Sequence, residues 1–160
     1  MSPPRIPPVL LRASFVLGVI GTFASLAIHV SALRGTSFSE DVGFGFHIGA
    51  MAVFAPVIIA LIRRAEAEGI RQDSIRGGFA LNAWMFHILS PMERVVFGLL
   101  LAYTLTRFFL GFFEVVQNPP EGFPFVLFSA AWLYFFAVSA LYSQRLLRLG
   151  PAETVDRQGL

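Results

Sequence analysis

The chain has 160 residues, 56% of them hydrophobic and 14% charged, with a net charge of +2, a sequence pI near 9.7 and a mean hydropathy of +0.69. Against a soluble average of about 25% charged residues, this composition belongs to an integral membrane protein of one domain, with no length left for a separate soluble one. The lack of cysteine excludes disulfides, thiolate metal sites, iron-sulfur clusters and dithiol redox chemistry. The basic residues, all of them arginine, are scattered and form no tract for nucleic acid.

The first eight residues contain four prolines and Arg5 and read as a non-helical lead-in. An apolar run over 9–33 is the first predicted span. A cleaved signal peptide ending near Val30-Ser31-Ala32 is the competing reading, and the run is long for one. Gly18, Thr22, Ser25 and His29 recur at spacings that put them on one helix face, which should pack on a neighbour. After a short loop in which Ser39 is placed to cap, the second span covers 44–62. It holds Gly45 and Gly49 four apart, permitting close helix approach, and Pro56, which frees the Ala52 carbonyl.

Residues 63–78 are polar and of mixed charge, as in a cytoplasmic loop. Residues 79–89 are apolar but too short to cross, and with Trp84 and Phe86 they suit a helix lying at the inner interface. Ser90-Pro91-Met92-Glu93 then has the form of a capping box for a third span over 92–114. A fourth span over 125–147 places Ser129, Trp132, Phe136, Ser139 and Ser143 on one face, and 150–160 is a polar tail. The fold predicted is all-α, an integral membrane four-helix bundle with a short interfacial helix before the third span.

Ten arginines fall on the side of the termini and of the loop between spans two and three, Arg34 alone falls on the other, and Arg107 lies inside the third span. Both termini should therefore be cytoplasmic, and the all-arginine usage fits a bacterial inner membrane protein. Arg107 lies roughly 22 Å along the helix from Met92, in the outer third of a hydrocarbon core about 30 Å thick, and needs a partner or a wet surface. The expected partner is Glu114, or else Glu40 or Asp41. His29, His47, Arg107 and Glu114 come to a similar depth, and Tyr103, Arg107, Gly111 and Glu114 share one face. That notch could take a quinone headgroup, a lipid phosphate or a carboxylate. His29 and His47 are the candidate haem b ligands, although His47 turns away from His29 if the glycine face packs inward.

FHIGAMAVFAPV in the second span, Trp84-Met85, and FSAAWLYFFAVSALYS in the fourth resemble a family of small four-helix bacterial membrane proteins without an assigned role. The resemblance implies the fold and carries no catalytic residue. With no hydrolase, phosphate-loop, dinucleotide or di-iron motif in the chain, the expected function is non-enzymatic: an accessory or scaffold subunit packing on other membrane subunits or on its own copies within the lipid bilayer. The alternatives are a haem- or quinone-binding electron-transfer protein, with His29, His47, Tyr103, Arg107 and Glu114 at the site, and a small transporter or channel subunit.

Overall fold

Two prolines set where the first helix starts. Pro7 is extended (φ −59, ψ 136), and Pro8 opens α1 (Pro8–Leu33), where a missing N–H costs nothing and φ is already helical. A computed structural model describes residues 7–70, 75–117 and 125–150. It contains α1, α2 (Glu40–Ala67), α3 (Ile75–His87), α4 (Pro91–Gln117) and α5 (Phe125–Leu149).

The four-helix bundle expected from the sequence is overturned on two counts. There are five helices, and among the described residues three of them, α1, α2 and α4, are long and apolar enough to cross a membrane. The stretch read as an interfacial helix begins earlier than expected, at Ile75; its Trp84 and Met85 pack, partly buried, against the cluster that holds the buried Leu89 just after it. The segment expected as the fourth span, α5, is the axis around which α1, α2 and α4 are arranged. Ser129, Trp132, Phe136, Ser139 and Ser143 are all buried, as are Ala130, Leu133, Val138, Tyr142 and Leu146 on its other sides. An apolar helix surrounded by helices and one facing lipid have the same composition, so run length alone could not separate them.

α1 and α5 run antiparallel at very close range. A Cβ added at Gly18 would lie 2.9 Å from both the Ala140 nitrogen and the Phe136 carbonyl oxygen, and the Phe136 ring occupies the space over Gly21. The small and polar stripe of α1 therefore faces α5, with Gly18, Ser25 and His29 buried. α2 packs on both α1 and α5, burying Ala50, Val53, Val57, Ala60 and Leu61. Ser39 makes no side-chain cap to α2, contrary to expectation. Gly45 has open space where its Cβ would be, while Gly49 looks toward the Phe136 ring.

The end of the bundle where α3 meets α4 is held by hydrogen bonds. The capping box forms, with Ser90 N–H donating to Glu93 Oε2 at 2.7 Å and Glu93 N–H reaching Ser90 Oγ at 3.4 Å. Arg94 donates to the carbonyls of Phe86, His87 and Leu89, and Arg145 donates to Ile88 O. Lone carbonyls at the C-terminal end of α3 are thus answered by cations, as the helix dipole favours. Tyr142 Oη donates to Met85 O at 3.2 Å, and Trp84 Nε1 to Glu68 Oε2 at 2.6 Å.

α4 is displaced along the axis. Thr104 meets Ala130 and Phe97 meets Tyr134, a register that puts the first residue of α5 opposite residues near 108 of α4. α1, by contrast, is flush with α5, since His29 meets Ser129 and Gly18 meets Ala140. Residues 109–117 therefore overhang the ends of α1 and α5 by roughly 12 Å at ~1.5 Å per residue. Phe109, Leu110, Phe112, Phe113 and Val116 are exposed there.

Candidate functional site

Polar groups near the C-terminal end of α1 converge where α1 and α4 flank α5. His29 is placed by the α1 stripe that the two glycines press onto α5, and it is only 2% exposed. Its Nδ1 lies 2.8 Å from Ser129 Oγ and its Nε2 lies 2.5 Å from Tyr103 Oη. The two rings meet edge to face, with centroids 5.7 Å apart. The backbones of α1 and α4 approach each other far less than either approaches α5, and Tyr103 joins them through its side chain. Beside it, Thr104 Oγ1 donates to Ala130 O at 3.3 Å.

This arrangement is a hydrogen-bonded chain of three groups. A neutral imidazole has one donor and one acceptor nitrogen, so the chain runs in one of two directions. Either Ser129 donates to Nδ1 and Nε2–H donates to Tyr103, or the phenol donates to Nε2 and Nδ1–H donates to Ser129. In the first case the phenol O–H is free for another acceptor. In the second it is used.

Arg107 follows Tyr103 by one turn on the same flank of α4. Its Nε is buried without a hydrogen-bond partner. The expected ion pair is not formed: among the described residues the acid–base pair is Arg64–Glu68 at 3.0 Å, and Glu40, Asp41 and Glu114 are all exposed. Glu114 fails for a geometric reason, since it stands on the overhang about 10 Å further along α4 than Arg107.

Of the five site residues expected, the structure thus brings together His29, Tyr103 and Arg107. His47 is exposed, its ring edge-on to Phe128 at 6.2 Å. Axial ligation of haem by His29 would require breaking its bond to Ser129 or to Tyr103, so the geometry lends no support to the haem reading. Sequence reasoning missed Ser129 as a partner, assigning it to core packing. The signal was present, because antiparallel flush helices put Ser129 four residues inside α5 opposite His29, four residues inside the end of α1. Among the described residues, no group of three metal-binding side chains occurs.

No protein family, curated protein or solved structure matches the chain. The reading of function therefore rests on the geometry.

Proposed function

We propose that this chain is a non-enzymatic integral membrane protein, an accessory or scaffold subunit that assembles with its own copies through α4, in a bacterial inner membrane with both termini cytoplasmic. The observation that carries this reading is the overhang. Beyond the ends of α1 and α5, lipid tails are no longer the natural cover for an apolar helix, and Phe109, Phe113 and Val116 need another surface. Along the same outward line lie Gly98, Ala102 and Thr106, all exposed, with open space at Gly98. Small residues at four-residue spacing allow two helices to come close enough for backbone contact. A two-fold axis along the membrane normal would pair both parts of the line with themselves, small against small and aromatic against aromatic.

The natural chain has no cysteine, which makes the test direct. Single variants Ala102→Cys and Phe113→Cys should cross-link to a dimer in native membranes, and Val16→Cys, on the outward face of α1, should not. A monomeric mass in lipid nanodiscs together with no cross-link at 102 or 113 would remove the proposal. Cross-linking to a different polypeptide would replace self-assembly by docking on a larger complex.

A further inference from the structure

Arg107 is a cation without an answer among the described residues. No hydrogen bond or ion pair to its guanidinium is formed among the described residues, its Nε is shielded from solvent, and an arginine cannot shed its proton to relieve the cost. Its depth decides what can answer it. α1 has 26 residues, about 39 Å, close to the 40–45 Å of a bilayer with its headgroups. Because α4 is displaced outward, Arg107 comes level with the last turn of α1 rather than with its middle. That level is the headgroup layer, where the abundant anion is a lipid phosphate.

We propose that the gap between α1 and α4 binds the phosphate of an anionic phospholipid, gripped by the fork of Arg107 and by the phenol of Tyr103 one turn deeper. Arg presents paired donors in the geometry a phosphate accepts. Leu26 and Leu33, which flank His29 on α1, are exposed and give the acyl chains an apolar wall. Among the described residues the acids nearby do not block the site: Glu114 lies about 10 Å further out along α4, and Glu40 and Asp41 open α2, while α4 packs chiefly on α5. The His29 chain responds to the ligand. A bound phosphate accepts the phenol O–H, so Tyr103 no longer donates to Nε2; Nε2–H donates to Tyr103 and Ser129 donates to Nδ1. Binding selects the tautomer with the proton on Nε2.

The site lies on the inner flank of α4, turned away from the proposed self-assembly line, so the two proposals fail separately. The experiment places the full chain in phosphatidylcholine nanodiscs and titrates phosphatidylglycerol, reading the ¹⁵N signals of His29 and the lipid retained in native mass spectrometry. Expected are selective retention of phosphatidylglycerol, conversion of His29 to the Nε2–H tautomer, at least a tenfold loss of retention in Arg107→Leu, and partial retention in Arg107→Lys. His29 is read in the unsubstituted protein, so the test survives a poorly folding variant. Equal retention of the two lipids with unmoved His29 signals overturns the proposal. So does the same tautomer shift with inorganic phosphate alone, which marks a free-anion site, or a response to ubiquinone-2 and none to phosphatidylglycerol, which marks a quinone site.

Discussion

Tyr103 Oη and His29 Nε2 lie 2.5 Å apart, joining two helices that each pack chiefly on α5. Because His29 is buried, removing the phenol oxygen leaves a ring nitrogen without a partner. Tyr103→Phe should cost about 1–3 kcal/mol. His29→Leu removes the orphan, so the double variant should recover part of that loss. A double-mutant cycle on thermal unfolding in detergent measures the coupling, and strict additivity would mean that the bond does not form in the membrane.

Gly18 sits against backbone rather than a flexible side chain, so a substituent there can only push the helices apart. Gly18→Val should destabilise by about 1–3 kcal/mol through overpacking, whereas Gly45→Ala, at a glycine with open space around it, should be close to neutral. Chemical denaturation of both variants gives the comparison. Equal losses would contradict the close approach of α1 and α5.

The capping box makes α4 sensitive at its first turn. Ser90→Ala removes the side-chain acceptor for Glu93 N–H and should cost about 1 kcal/mol. Hydrogen exchange should quicken in the first turn of α4 and remain unchanged around Arg107. Uniform protection along the whole helix would show that the cap contributes nothing measurable.

Trp84→Phe deletes the donor to Glu68, and Arg145→Leu leaves the Ile88 carbonyl without its cation. Each should raise hydrogen exchange through α3 before α1 or α5 responds, because α3 is held mainly at these points. A global loss of protection in either variant would show that α3 opens only with the rest of the molecule.

Helix positions were readable because they depend on local signals. Pro7-Pro8, the Ser90–Glu93 box and the apolar runs placed most helix ends within a few residues, although α2 begins at Glu40, where 44 was expected, and α4 continues to Gln117 instead of 114. The arrangement was not readable, because the centrality of α5 depends on which apolar faces find each other. Arg107 is a different case: sharing a helix face with Glu114 suggested a pair, but two turns of α4, about 10 Å, separate them, and Glu114 is exposed. His29 was recognised and its hydroxyl partners were not, since Tyr103 and Ser129 reach it from separate helices. The expected Arg71 and Arg76 of the polar loop, and the tail over 151–160, lie outside the residues whose side chains are described.

Synthesis proceeds from the N-terminus, and α5 leaves the ribosome after α1, α2 and α4. Until it does, α1, α2 and α4 have no common surface to close on: Gly18 has no Phe136, His29 has no Ser129, and Thr104 has no Ala130. Before α5 arrives α1 and α2 have chiefly each other to pack on, and α5 supplies the surface that gathers α1, α2 and α4. A chain stopped before Phe125 loses its keystone, and quality-control proteases should treat it as unfolded even though α1, α2 and α4 have been made.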